Sequence, residues 1–141
     1  MVMAMKRVFN IFALCLLTLA AVSCAKADDE GYVHNECKIR SAYIKTLVPG
    51  SADMVNGVID ESVEPAEIVF KILRPKWDLY DLERIKVRVG VTYDVMVEPS
   101  LSGRTLDLSD YDEPYPITVR NTVTGETRTY NIRAYKSVDL N

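Results

Sequence analysis

Any chemistry in this 141-residue chain would have to come from its 20 carboxylates, one histidine, three cysteines and a few aromatics between apolar runs. Glycoside hydrolysis needs two carboxyl groups at a set separation. Here the acids fall mostly in turns and on alternate strand positions that face water, so the chain is not expected to be an enzyme. His34 is the only histidine, which excludes a multi-histidine metal site within one chain. There is no nucleophile elbow, phosphate-binding loop or metalloprotease helix, and no cofactor is implied. Asp107, Asp110, Asp112 and Glu113 form the densest acidic loop. Hard oxygen ligands at short spacing suit Ca²⁺, but the glycine of an EF-type loop is absent. Calcium binding and a solvated turn both stay open there, and no metal ligand is assigned.

Two other groups could bind rather than react. Trp77 and Tyr80 lie in the loop-like segment Arg74-Pro75-Lys76-Trp77-Asp78-Leu79-Tyr80, and with Tyr111 and Tyr115 they could offer aromatic faces to a sugar ring. The competing expectation is that Trp77 or Leu79 plugs an open end of the core, its indole N–H finding a partner. Arg84, Lys86 and Arg88, beside Arg120, Arg128 or Arg133, could meet an acidic glycan. Equally, such a stripe can be a solvated strand face with acids opposite.

The elements that position these groups follow a leader. Lys6 and Arg7 precede the apolar run from Ile11 to Val22, and Ser23 precedes Cys24. The run is shorter than the roughly 20 residues needed to span a bilayer but suits a secretory signal. Ala21-Val22-Ser23-Cys24 resembles the bacterial lipobox, with Ala21 where that motif has Leu. The resemblance implies cleavage before Cys24 and its lipidation, which anchors the chain to a membrane. Lys26 followed by Asp28, Asp29 and Glu30 looks like the export signal of surface lipoproteins in glycan-degrading anaerobes. The alternatives are a plain solvated tether and retention on the periplasmic face.

The expected organisation is a signal peptide over 1–23, an acidic tether over 24–36, one domain over 37–136 and a short tail over 137–141. Removing the leader leaves 118 residues, enough for one domain with its own core. Lys6 and Arg7 leave with it, so 15 basic residues face 20 acidic ones, a net charge of −5. No basic stripe with interleaved aromatics suggests nucleic acid. Cys15 would be lost with the leader and the lipobox resemblance implies that Cys24 is lipidated, so Cys37 is expected to stand alone without a disulfide framework. Its place beside an apolar alternation predicts a buried structural thiol.

Hydrophobic alternation with period two runs through most of this domain, which predicts strands. Ile85, Val87, Val89 and Val91 share one face of a run whose other face carries Arg84, Lys86 and Arg88. Ile68, Phe70 and Ile72 mark a second, more apolar strand. Segments 115–120 and 127–135 flank Thr124-Gly125-Glu126, the strongest hairpin signal in the chain. Weaker strands are expected over 39–47, 55–59, 93–98 and 105–108. About seven or eight short strands predict an all-β, antiparallel sandwich, with a closed barrel as the alternative.

The second half is similar to an uncharacterised immunoglobulin-like domain family of bacterial surface lipoproteins, associated with glycan utilisation. The similarity is carried by Gly57-Val58-Ile59-Asp60, Ile68-Val69-Phe70, Val87-Arg88-Val89, Val97-Glu98-Pro99-Ser100 and Ile117-Thr118-Val119. It is completed by Thr124-Gly125-Glu126-Thr127-Arg128-Thr129-Tyr130-Asn131-Ile132. It implies an immunoglobulin-like sandwich in an envelope setting, with no reaction attached. The functional expectation is a non-catalytic binding or assembly module at the outer membrane, in glycan capture or in contact with other envelope proteins. The alternative is a structural spacer or adhesion module without a small-molecule ligand.

Overall fold

A computed structural model describes residues 35–140. The leader, Cys24, Lys26, Asp28, Asp29, Glu30 and His34 lie outside the described residues. Eight strands follow in chain order: β1 (Ile39–Lys45), β2 (Met54–Asn56), β3 (Val58–Asp60), β4 (Ala66–Leu73), β5 (Lys86–Val91), β6 (Val95–Glu98), β7 (Tyr115–Asn121) and β8 (Thr127–Ser137). They form two sheets rather than one closed barrel, a small one ordered β2-β1-β5 and a large one ordered β3-β4-β8-β7-β6.

The alternation dictates which side of each strand is buried. In β4 every second residue is inside, and Ile68, Phe70 and Ile72 are fully buried. In β8, Tyr130, Ile132 and Ala134 face inward. Ala42, Ile44 and Val87 of the small sheet enter the same apolar cluster, so both sheets share one core. At roughly 1.5–3 kcal/mol for each large apolar side chain removed from water, this cluster dominates the favourable side of folding.

Three local devices correct the simple alternation. In β1 the register shifts between Ile39 and Ser41, leaving Arg40 as an extra residue. The bulge lets Ile39 and Ala42 both face inward although they are three apart. Second, segment 55–59 is not one strand. It divides at Gly57, so that β2 pairs with β1 and β3 pairs with β4. Gly57 N donates to Ala42 O at 2.9 Å, and a Cβ there would lie 2.7 Å from Phe70 Cε1. Third, segment 105–108 is no strand: it makes a single bridge between Leu106 and Ile85 while Leu106 and Leu108 fill the core.

The wholly antiparallel expectation is also corrected, because β4 and β8 run parallel from Ala66↔Tyr130 to Leu73↔Ser137. All other strand pairs are antiparallel. Parallel neighbours need a long connection between them, and the chain supplies it by passing through β5, β6 and β7 between the two. The predicted hairpin closes as expected, with Gly125 at φ +75° in the turn between β7 and β8.

Candidate functional site

The four aromatics expected to make one platform differ in exposure: Tyr80 is buried, Trp77 and Tyr115 pack on the core, and Tyr111 is exposed. Pro75 opens a 3-10 turn over Arg74–Leu79 directly after β4. Trp77, within that turn, packs half-buried against the core. Its indole N–H donates to Ile72 O at 3.2 Å and to Ser137 O at 3.1 Å, and the Arg74 guanidinium lies 6.0 Å from its ring centre. These bonds join the ends of the parallel strands β4 and β8. Trp77 is therefore the plug of that end of the core.

Tyr80 is only 3% exposed. Its hydroxyl donates to Asp53 Oδ1 at 2.7 Å, and Lys76 Nζ reaches the other oxygen at 2.9 Å. The Lys76 ammonium, with Tyr80 second, holds the Asp53 carboxyl below the usual range, and burial next to that carboxylate raises the Tyr80 phenol. Tyr80 borders a cleft of about 300 Å³ that also takes in Lys45, Arg84, Asp78 and Asp81. Tyr115 sits opposite Ile132 on the inward side of β7 and packs on the core.

Tyr111 alone of the four stands well in solvent, 44% exposed. It meets Tyr135 edge to face, with ring centres 5.7 Å apart and planes at 90°. Arg133 holds the Tyr111 side of the pair. Its Nε contacts Glu67 Oε1 at 3.2 Å, another nitrogen donates to Tyr111 O, and its guanidinium lies 5.2 Å from the Tyr111 ring centre. Tyr135 was not singled out by sequence reasoning. The signal was present, since residues 133 and 135 share the outward side of β8 by the same alternation that buries Tyr130, Ile132 and Ala134.

The acidic loop beside Tyr111 is organised by its own turns. Asp107 accepts from Ser109 N and Oγ at 3.0 and 2.6 Å, which lowers its pKa, and Asp110 accepts from Asp112 N at 2.9 Å. No group of three or more His, Cys, Asp or Glu side chains is placed to hold a metal ion among the described residues. Cys37 is buried, its thiol directed at Glu126 O at 3.2 Å, and burial pushes its pKa up. That is the inert structural environment expected for it.

The basic residues divide between the sheets. On the large sheet Arg120 pairs with Glu98, Arg128 with Glu61 at 3.3 Å, and Arg133 with Glu67. Lys86 and Arg88 lie on the small sheet, with Arg84 just before it, so the two arginine groups expected to act side by side occupy separate sheets.

The class this geometry defines is an all-β domain of two sheets around one core. No protein-family model matches the chain, and no curated protein matches it at a significant level. Among solved structures it is similar to a presumed secreted protein from Bacteroides fragilis NCTC 9343, at 16% identity and TM-score 0.47, over 74% of this chain and 98% of that one. It is also similar to a DUF4623 family protein from Bacteroides eggerthii DSM 20697, at 14% identity and TM-score 0.45, over 74% of this chain and 22% of that one. At such identities and TM-scores neither likeness speaks to a ligand or a reaction.

Proposed function

We propose that this protein is a lipid-anchored module of the cell envelope, displayed at the outer membrane through Cys24, with an immunoglobulin-like sandwich that captures glycan without catalysis. The observation that carries the binding part is the solvent-facing Tyr111–Tyr135 pair fixed by Arg133. Two rings at right angles offer one face and one edge, and sugar C–H groups pack on such faces while the phenol oxygens bond hydroxyls. Both rings are held before any ligand arrives, which reduces the entropy lost on binding. Eight strands in two sheets sharing one core support the immunoglobulin-like reading. The leader ending at Cys24 supports the anchor.

The test is a glycan array and affinity gels with the processed full-length protein, beside Tyr111→Ala and Tyr135→Ala. Retention on a polysaccharide that both substitutions weaken supports the module. Retention indifferent to both removes this site, and no retention at all favours the spacer or adhesion alternative. Metabolic palmitate labelling that vanishes in Cys24→Ser supports the anchor. Protease protection of the domain on intact cells counts against display on the outer face.

A further inference from the structure

The outer face of the small sheet is cationic in a protein that is otherwise acidic. Its three strands contain no Asp or Glu, although they carry Arg40, Lys45, Lys86 and Arg88. Arg40 is paired with Glu36 at 3.0 Å, but Lys45, Lys86 and Arg88 make no ion pair among the described residues. The large sheet does the opposite, giving a carboxylate to each of Arg120, Arg128 and Arg133.

Register sets the pattern on this face. Ala42, Ile44 and Val87 are buried, so Tyr43, Lys45, Lys86 and Arg88 belong to the outward side. Lys45 stands directly opposite Lys86, and Tyr43 lies between Asn56 on β2 and Arg88 on β5. Beyond Tyr43 the next pair is Ser41 opposite Gly90, which leaves the surface low beside the ring. Like charges directly opposite on neighbouring strands are destabilising, and neither lysine makes an ion pair with a carboxylate among the described residues. The nearest carboxylates before β1 and β2 are engaged elsewhere, Glu36 with Lys38 and Arg40, and Asp53 with Lys76 and Tyr80. Asp78 and Asp81 line the cleft at the Lys45 end together with Lys45 and Arg84, without pairing with either.

We infer that this face is a second binding surface, for an acidic polysaccharide bearing carboxylate or sulfate groups. An anionic repeat relieves the Lys45–Lys86 repulsion and engages the Arg88 fork with two oxygens. The same rows supply what a sugar requires between its charges: an aromatic ring at Tyr43, an amide at Asn56 and a hydroxyl at Ser41. Strands spaced about 4.8 Å apart place these groups on a flat, extended surface suited to a chain rather than to a compact ligand. This surface stands apart from the Tyr111–Tyr135 pair and does not depend on it.

The experiment measures retention of the full-length, detergent-solubilised protein on immobilised heparin and on polygalacturonate, with dextran as the neutral reference. The expected result is retention on the acidic polymers alone, lost at high ionic strength. In the Lys45→Gln/Lys86→Gln/Arg88→Gln variant it falls by about tenfold or more. Thermal unfolding of the triple variant should occur no lower than in the parent, which separates lost binding from lost folding. The proposal is overturned if the triple variant binds as the parent does. It is equally overturned if Arg74→Gln/Arg120→Gln/Lys136→Gln, at exposed positions outside both surfaces, loses as much, since net charge alone would then explain the binding. Preference for phosphatidylglycerol vesicles over both polymers, or charge-dependent self-association instead of retention, also overturns it.

Discussion

The Tyr80 hydroxyl donates to the Asp53 carboxylate at 2.7 Å, joining the segment after the 3-10 turn to the residue just before β2. This bond holds the chain where it leaves the large sheet against the chain where it enters the small one. Tyr80→Phe removes the donor and keeps the ring, while Lys76 still satisfies Asp53. A loss of about 1–2 kcal/mol is expected, read by urea unfolding with an unchanged slope.

Alkaline pH should weaken the domain. Burial, with the Glu61 carboxylate next, pushes the Tyr130 phenol up to about 12, and Tyr80 is raised in the same direction. A phenol whose folded pKa is raised binds its proton more tightly in the folded state. The stability tied to it is whole below pH 10 and is lost as pH climbs from 10 through about 12. Unfolding midpoints measured across that window should fall, and Tyr130→Phe should flatten the fall.

Gly57→Ala should destabilise by overpacking. Its Cβ would stand 2.7 Å from Phe70 Cε1 and 3.1 Å from Ile68 Cγ2, both on fully buried side chains. A cost of about 1–3 kcal/mol is expected, measurable as a lowered unfolding midpoint. Phe70→Leu in the same chain should recover part of it by opening the space.

Trp77→Ala should act on folding and not on capture. The indole fills the end of the core and bonds Ile72 O and Ser137 O, so its loss leaves a cavity and two weakened carbonyl contacts. About 2–4 kcal/mol is expected, by denaturant melts. Polysaccharide retention at a temperature where the variant is folded should match the parent; a selective loss would return Trp77 to the binding surface.

Cys37 should resist alkylation until the domain opens. In a chain carrying Cys15→Ala and Cys24→Ala, the remaining thiol is the buried one bonded to Glu126 O. Its labelling rate by iodoacetamide should track the unfolded fraction across a urea titration. Fast labelling without denaturant would contradict its burial.

Much of the architecture can be read from the chain because side-chain direction along a strand is a local property. The alternation in β4, β5 and β8, the hairpin at Gly125 and the thiol packed beside β1 all follow from residues within a few positions of one another. Tyr111 could be named as exposed because an acidic turn surrounds it. Tyr135 has the outward parity of β8, but nothing in either segment says that the two rings meet across 24 residues.

What only the tertiary structure decided are matters of pairing across distance. The division at Gly57 depends on Phe70 standing behind it. The parallel contact of β4 with β8 depends on three intervening strands being placed first. The like-charged Lys45 and Lys86 become neighbours only through the bulge and register of β1. Periodicity specifies which side of a strand seeks the core, whereas the choice of partner is made by the packing of the whole core. For the same reason the basic residues read as one stripe in the chain, yet the fold separates them into a neutralised set on the large sheet and an unpaired set on the small one.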